Sequence, residues 1–249
     1  TPTDSCTPRP SYRTTTSPPS ARRISISARC ICTRLEEIGT NIANVSAIFI
    51  THEHSDHVKG LEVLAKKTCA SIHIAEPSAR EYLLFHPSVK TAVIHPVDHI
   101  CKVGDITVRS FFSSHDSCAC VGYTFETESD KLGIVTDTGY VDKAALSACL
   151  GCSAVILESN YDEKMLESGP YPDHLKSRIR SSKGHLSNYD CAAFARFLAE
   201  TGTKNFMLGH LSPENNTPEL AFNVTSRALM GFDGIKLVVA AKNDVTVLI

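Results

Sequence analysis

Tryptophan is absent from this 249-residue sequence, and aromatic residues make up only 7% of it. No uninterrupted apolar run approaches the ~20 residues that a membrane-spanning helix needs, so we expect no membrane partner. The formal net charge of −2 excludes a protein that coats nucleic acid by charge alone. Hydrophobic residues at 42% and charged residues at 21% are typical of a globular protein of one or two domains.

The ten cysteines do not follow the spacing of a disulfide or zinc framework. We expect no secretion signal, because no short apolar segment of that kind is present, and therefore no small disulfide-stapled scaffold. The close pairs, at positions 30 and 32, 118 and 120, and 149 and 152, never form the two C-x2-C knuckles of a zinc ribbon. We expect reduced, mostly buried thiols in a cytoplasmic protein.

Residues 1–29 differ from the rest of the chain, since 22 of them are Ser, Thr, Pro or Arg and none is glycine. They have no hydrophobic period, so they cannot bury enough apolar surface to offset their chain entropy. Their Arg-rich, acid-poor composition also fits an organellar transit peptide or a frameshifted start. We therefore predict a disordered or non-native segment over residues 1–29 and a folded domain over residues 30–249.

Strand-like apolar runs alternate with helical patterns from Cys30 onward, which predicts a layered α/β protein. The predicted strands are 47–51, 71–75, 106–112, 121–127, 131–136, 154–157, 205–208 and a closing pair within 235–249. The predicted helices are 31–38, 58–67, one from Pro77, 142–150, three before the strand at 205, and one from Pro218.

One segment of six residues carries three histidines and an aspartate. His52 and His54 follow an apolar strand and are two residues apart, so both imidazoles point to the same side. A helix beginning near Val58 brings Asp56 and His57 beside them. Imidazole and carboxylate groups gathered in this way are ligands that zinc and similar divalent metals take.

Three further candidate ligands stand at the ends of other predicted strands. They are His115, Asp137 and His210. In layered α/β folds, functional sites gather beyond the carboxyl ends of strands, so we expect these side chains to meet the histidine segment.

The motif H-x-H-x-D-H, followed by a lone His, a T-D-T-G turn and a late G-H, resembles the metallo-β-lactamase-fold hydrolases. More narrowly, five motifs resemble the YycJ/WalJ branch of that superfamily: THEHSDHVKG, GIVTDTGY, LESNYD, KGHLSN and GHLSPENNTPEL. The resemblance runs from about Ile31 to the end and implies an αββα four-layer sandwich. Residues 1–29 lack the glycine-rich turn and the D-A-G strand end of the family, so we expect the first strands to be missing.

The resemblance implies two divalent metal ions, zinc or manganese, with iron also compatible. Carried over by position, the ligand sets are His52, His54 and His115 for the first ion, Asp56, His57 and His210 for the second, and Asp137 as the bridge. Metals about 3.5–4 Å apart share a hydroxide and stabilise the attacking and leaving oxygens. The implied activity is phosphodiester hydrolysis, as a 5′→3′ exonuclease acting on DNA.

Two residues are candidates for catalytic roles. Asp56 is a candidate to hold the hydroxide by a hydrogen bond. His185 stands just before a capped helix, and it either contacts a substrate phosphate or leaving group or only caps and packs. Glu158 follows a buried strand and is expected to support the site without binding metal. A basic run supplies either a local phosphate-binding groove or a solvated surface: Lys176, Arg178, Arg180 and Lys183.

Two other functions stay open for this fold. One is hydrolysis of a small-molecule ester, thioester or lactam. The other is metal binding in a regulatory protein that does not turn over a substrate. The unusual residues 1–29 favour this second alternative.

Overall fold

The computed structural model describes residues 28–242 and 244–248, and its strands form two sheets. The strands are β1 (Ala47–Ile50), β2 (Ser71–Ala75), β3 (Ala92–His95), β4 (His99–Val103), β5 (Ile106–Ser113), β6 (Cys120–Glu126), β7 (Lys131–Val135), β8 (Ala154–Glu158), β9 (Asn205–Gly209) and β10 (Lys236–Val239). The helices are α1 (Ala28–Glu37), α2 (Ser55–Val58), α3 (Leu61–Lys67), α4 (Glu76–Phe85), α5 (Lys143–Cys149), α6 (Glu163–Ser168), α7 (Asp173–Arg180), α8 (Asn188–Glu200) and α9 (Pro218–Ala228). Within this described part, no helix combines the length and hydropathy needed to span a bilayer.

The small sheet contains β1, β2 and β3 in that order, and its three strands run parallel. Alternate side chains of β2 face opposite sides, as the two-residue period of a strand requires. Ile72 and Ile74 pack with Leu61 of α3 and Tyr82 of α4. The small sheet is therefore covered by helices on its outer face.

The large sheet has the order β10-β9-β8-β7-β6-β5-β4. The strands from β7 to β10 run parallel, and those from β4 to β7 alternate in direction. It follows that β5, β7, β8 and β9 all point the same way. Their carboxyl ends meet at one edge of the sheet, where a site built from strand-end residues must lie.

Four layers result from the packing of these sheets and helices. Phe49 and Ala75 of the small sheet contact Val121 and Tyr123 of the large sheet. The opposite face of the large sheet packs against α5, α8 and α9 in the largest core cluster, which includes Leu157, Phe194, Leu198 and Phe206. This is the predicted αββα order. The predictions for residues 1–27, including the missing first strands, lie outside the described residues.

The helix predicted at 58–67 begins later in the structure, as α3 at Leu61, and a break at Lys59 and Gly60 separates it from the short α2, which ends at Val58. A Cβ added at Gly60 would lie 2.9 Å from the backbone nitrogen of Ala28, so the start of α1 packs directly on this break. Ala28 and Arg29, the last two residues of the segment predicted to be disordered, form the first turn of α1, and Ala28 is buried.

Two strands were not predicted, and one predicted strand pair is wrong. β3 and β4 were missed because they are short and their apolar residues Val93, Ile94 and Ile100 are exposed, whereas the polar His95 is buried. In place of a closing pair within 235–249 there is, among the described residues, only β10, which pairs with β9. Beyond it the chain turns and Leu248 folds back onto the large sheet beside Met207.

The cysteines are less buried than predicted. Among the described residues, the eight cysteines from Cys32 to Cys191 are free thiols, and five of the nine described cysteines are partly or fully exposed. The fully exposed ones are Cys30, Cys69 and Cys118.

Candidate metal centre

All seven predicted metal ligands lie together where β1, β5, β7 and β9 end. Because β5, β7 and β9 point the same way, the turns that follow them meet at one place. The segment after β1 enters the same place from the small sheet. The residues brought together are His52, His54, Asp56, His57, His115, Asp137 and His210.

The first predicted ligand set is a compact group of three imidazoles. His52, His54 and His115 offer ring nitrogens within 4.8 Å of one another, and their ring centroids are 4.5 to 5.2 Å apart. Burial lowers the pKa of His52 to about 2, so its imidazole is neutral. His115 Nδ1 donates to the Gly184 carbonyl at 3.0 Å, which leaves Nε2 as the free nitrogen.

The second predicted set also gathers at one point. Asp56, His57 and His210 offer ligand atoms within 4.8 Å of one another. The hydroxyl of Thr51 lies 3.1 Å from His57 Nδ1 and fixes that ring. Burial disfavours the charged form of His210, but Asp137 and a hydrogen-bonded Glu158 outweigh burial and raise its pKa to about 10.

Asp137 lies between the two sets. Its Oδ2 is 3.4 Å from His57 Nε2, and its Oδ1 is 3.4 Å from His210 Nε2 and 3.8 Å from His115 Nε2. Burial opposes ionisation of this carboxyl, but His210 and His57 outweigh burial and hold its pKa well below the ordinary range. The carboxylate is therefore ionised and faces imidazoles of both sets.

Asp137 and His210 share an unusual backbone conformation. Their φ angles are 55° and 57°, and among the described residues they are the only non-glycine residues at positive φ. Such conformations cost on the order of 1 kcal/mol and persist where surrounding contacts impose them. Asn160 Nδ2 donates to the His210 carbonyl at 2.9 Å, and the Gly139 amide donates to the Ser114 carbonyl at 2.7 Å. These contacts direct both side chains into the site.

Three buried atoms of the site lack a hydrogen-bond partner within the described residues. They are His52 Nε2, Asp116 Oδ1 and Asp137 Oδ2. Leaving a buried polar atom unpaired costs about 1–3 kcal/mol, so a native protein normally supplies a partner. Imidazole nitrogens and carboxylate oxygens without cysteine are the donors that zinc, manganese and iron accept. The residues present therefore fit divalent metal ions.

Glu158 supports the site as predicted. It is fully buried at the end of β8, and its Oε1 accepts from His185 Nδ1 at 2.6 Å and from His210 Nδ1 at 2.7 Å. Its Oε2 accepts from the amides of Thr138 and Leu186 at 2.9 and 3.4 Å. Burial disfavours protonated His185, but Glu158 outweighs burial and raises the pKa of that imidazole.

Sequence reasoning missed Asp116 and Asn160. Asp116 Oδ1 lies 3.4 Å from His115 Nε2, and Asp116 Oδ2 accepts a hydrogen bond from Arg178. The signal for Asp116 was its position next to a predicted ligand. Asn160 lies in the LESNYD motif, but nothing local in the sequence shows its contact with the His210 carbonyl, 50 positions away.

A model of the β-lactamase superfamily domain matches residues 26–211. This chain belongs to the β-lactamase superfamily. Its predicted metallo-β-lactamase fold is confirmed, and the superfamily membership together with the histidine and carboxylate clusters makes the protein a metal-dependent hydrolase.

Two curated relatives of this superfamily protein share most of its length. Exodeoxyribonuclease YycJ of Bacillus anthracis is 40% identical over 191 residues, which is 76% of this chain and 72% of that protein. Exodeoxyribonuclease WalJ of Streptococcus pneumoniae is 38% identical over 201 residues, which is 79% of this chain and 74% of that protein. The fold is similar to that of Zn²⁺-bound PqqB from Methylobacterium extorquens, with a TM-score of 0.60 and 18% identity over 82% of this chain and 73% of the other.

Proposed function

We propose that this protein is a 5′→3′ exodeoxyribonuclease that hydrolyses phosphodiester bonds of DNA with two divalent metal ions. The meeting of two three-residue ligand sets on Asp137 carries the proposal, because a pair of metals suits in-line displacement at phosphorus. The names of the relatives YycJ and WalJ support DNA as the substrate.

The proposed ions are zinc or manganese, with iron compatible with the same ligands. Their ligand sets are His52, His54 and His115 for the first ion, Asp56, His57 and His210 for the second, and Asp137 as the bridge. When bound, the metals supply a water of lowered pKa and positive charge for the attacking and leaving oxygens.

His185 and Asp56 have proposed roles in proton handling. The rings of His115 and His210 lie 5.0 and 5.3 Å from the His185 ring, which therefore faces both ligand sets. Glu158 holds His185 Nδ1 and favours the protonated imidazole, so Nε2–H is available to donate to a phosphate oxygen or to the leaving group. Asp56 is exposed and accepts a hydrogen bond from the attacking water.

The charge beside the site favours a polyanionic substrate. Arg178, Arg180 and Lys183 are exposed next to His185 along the chain. Arg178 pairs with Asp116, whereas Arg180 and Lys183 have no ion pair within the described residues. These cations suit the phosphates that flank a scissile bond, and they serve no purpose towards a neutral lactam or thioester.

We further propose that residues 30–249 form the hydrolase domain and that it works in the cytoplasm. The free thiols of the eight described cysteines from Cys32 to Cys191 support a reducing compartment.

The test uses the Mn²⁺- or Zn²⁺-loaded full chain with DNA labelled at either its 5′ or its 3′ end. The proposal predicts early release of the 5′ label on a mononucleotide and gradual shortening of the 3′-labelled strand. It also predicts that the rate falls steeply with salt on DNA, whereas a single phosphodiester gives a weak salt dependence. Digestion from the 3′ end, or turnover of a lactam or thioester without turnover of DNA, would overturn it.

A further inference from the structure

A groove next to the metal centre has an exposed aromatic side chain on each wall. It has a volume of about 490 Å³ and lies between the turn after β7 and the outer face of α8. Tyr140 on one wall is 47% exposed and Phe197 on the other is 37% exposed. The volume falls within the range of small-molecule sites, so the groove can accept a group of that size.

Two residues that line the groove are close along the chain to residues of the metal centre. Gly139, which lines it, stands two residues after Asp137, and Leu186 follows His185 directly. The Thr138 hydroxyl donates to the Tyr140 carbonyl at 2.7 Å. Tyr140 is thus held at a fixed place relative to the proposed bridging ligand.

The α8 wall presents a stripe of residues towards Tyr140. Asp190, Ala193 and Phe197 are spaced by three and four residues, so they lie on one face of the helix, and all three are exposed. A single exposed phenylalanine is common on protein surfaces. Opposite a second exposed ring, it makes a slot with an aromatic group on either side.

Charge separates this groove from the neighbouring basic segment. Among the residues that line the groove, Asp190 alone is charged, and a carboxylate repels phosphate. The cations Arg180 and Lys183 flank the loop that packs on Gly139, where an added Cβ would lie 2.3 Å from the carbonyl carbon of Ser182. Phosphates are therefore drawn to the loop, while the groove suits an uncharged ring with polar edges.

We propose that this groove is a nucleobase-binding subsite, in which a base of the DNA substrate stacks on Tyr140 and against Phe197 while its backbone follows Arg180 and Lys183. The proposal rests on the proposed nuclease function. Aromatic stacking suits any base, so the subsite gives affinity for a single strand without sequence preference.

The test compares two 5′-phosphorylated single-stranded oligonucleotides, one normal and one with abasic residues at its first 5′ positions. Tyr140→Ala is expected to lower kcat/KM on the normal strand by roughly 5- to 150-fold and to leave the abasic strand unchanged. Tyr140→Phe keeps most of the activity because its ring still stacks. Phe222→Ala removes an exposed aromatic side chain of α9 outside the groove and serves as the matched control.

A binding measurement separates failure of this subsite from failure of the nuclease proposal. In the metal-free protein, fluorescence anisotropy of a 3′-labelled oligonucleotide reports affinity without turnover, and Tyr140→Ala should weaken it for the normal strand alone. If wild-type protein hydrolyses DNA but Tyr140→Ala affects both strands equally or neither, the subsite is wrong. A loss of self-association in Tyr140→Ala, with unchanged oligonucleotide binding, would show that a second copy occupies the groove and would overturn the subsite.

Discussion

Two clusters of histidine rings lie at different places in this molecule and have different neighbours. The metal-centre cluster consists of the ligand sets around Asp137. The strand cluster consists of His73 on β2, His95 at the end of β3 and His99 at the start of β4. The rings of His95 and His99 stack at 4.9 Å, a separation similar to those within the metal-centre cluster.

The strand cluster is satisfied by neutral groups. His73 Nε2 lies 2.9 Å from the Ser71 hydroxyl, and His95 Nδ1 donates to the Pro96 carbonyl at 2.7 Å. Within the described residues, no carboxylate forms an ion pair with its three rings. The metal-centre cluster instead has buried carboxylates and the unpartnered atom His52 Nε2. The buried carboxylates and the inward-facing nitrogen therefore make the metal-centre cluster the better fit for a metal ion, although imidazole rings lie similarly close in both clusters.

Asp137→Asn should have the largest effect, because it removes the central carboxylate that distinguishes the metal-centre cluster from the strand cluster. Hydrolysis should fall by orders of magnitude and the metal content should drop below two per chain. Asparagine tolerates the left-handed backbone at this position, so folding should persist. His99→Ala in the strand cluster is the control and should keep full metal content and activity. Metal analysis and the DNA-hydrolysis rate check both variants, and an Asp137→Asn protein with two metals and near-full activity would contradict the account.

Glu158→Gln makes the two clusters more alike, because it gives His210 a neutral oxygen as its hydrogen-bond partner. His95 in the strand cluster has such a partner in the Pro96 carbonyl. Metal affinity or activity should fall roughly 10- to 100-fold, because the carboxylate orients His210 and favours electron donation from its ring. In the metal-free protein, the pKa of His210 should drop towards its ordinary value. Chelator competition and NMR titration measure these two effects, and an unchanged His210 pKa would contradict the role of Glu158.

Replacing Arg180 and Lys183 by glutamine tests whether these two cations bind DNA phosphates. They lie near the metal-centre cluster and not near the strand cluster. Affinity for single-stranded DNA should fall, and the slope of log affinity against log salt should shrink by about 0.7 for each phosphate that the variant no longer neutralises. The rate on a single small phosphodiester should be unchanged. In the control variant Arg109→Gln, the cation removed pairs with Asp98 near the strand cluster, so the slope should be that of the wild type. If the Arg180 and Lys183 variant has the same salt slope as the Arg109→Gln control, the basic segment does not bind the substrate.

We expect the smallest effect from Glu53→Gln. Glu53 stands between His52 and His54 in the chain. Glu53 accepts from the Cys118 amide at 2.7 Å and from the Ser78 hydroxyl at 2.5 Å. Burial opposes its ionisation, but these hydrogen bonds outweigh burial and lower its pKa. Because the pKa of Glu53 is lower in the folded state, its ionised form stabilises the protein at any pH above the unfolded-state pKa, which is near 4.5. This stabilisation is lost as the pH falls through the folded-state pKa.

The Glu53→Gln variant should therefore lose about 1 kcal/mol of unfolding free energy at pH 7. Its difference from the wild type should shrink on acidification. Urea denaturation at pH 7 and below about pH 4 measures this difference in unfolding free energy. A difference that grows in acid would show that folding raises the pKa of Glu53 instead of lowering it.

The candidate metal centre was largely predictable from the sequence because most of its residues follow the ends of strands. His115, Asp137 and His210 each follow an apolar run, and parallel strands carry such residues to one edge whatever their separation along the chain. The same rule led to the supporting role of Glu158. Most strands and helices were predictable for a related reason, since short apolar runs such as the one around Ile72 and Ile74 are typical of buried strands.

What the sequence did not predict depends on contacts between distant residues. The break at Gly60 exists because Ala28 packs against it, and no local pattern records that approach. β3 and β4 expose Ile94 and Ile100, so their apolar residues do not mark the buried face of the strand. Asn160 acts through a carbonyl 50 residues away, and Tyr140 gains a partner in Phe197 only when α8 packs beside the turn after β7.

Anomalous scattering from crystals grown with Mn²⁺ would locate the metal ions. We expect two peaks about 3.5–4 Å apart, one among His52, His54 and His115 and one among Asp56, His57 and His210, with Asp137 between them. We expect no peak beside His73, His95 and His99. A single peak at the metal centre, or a peak within the strand cluster, would contradict this expectation.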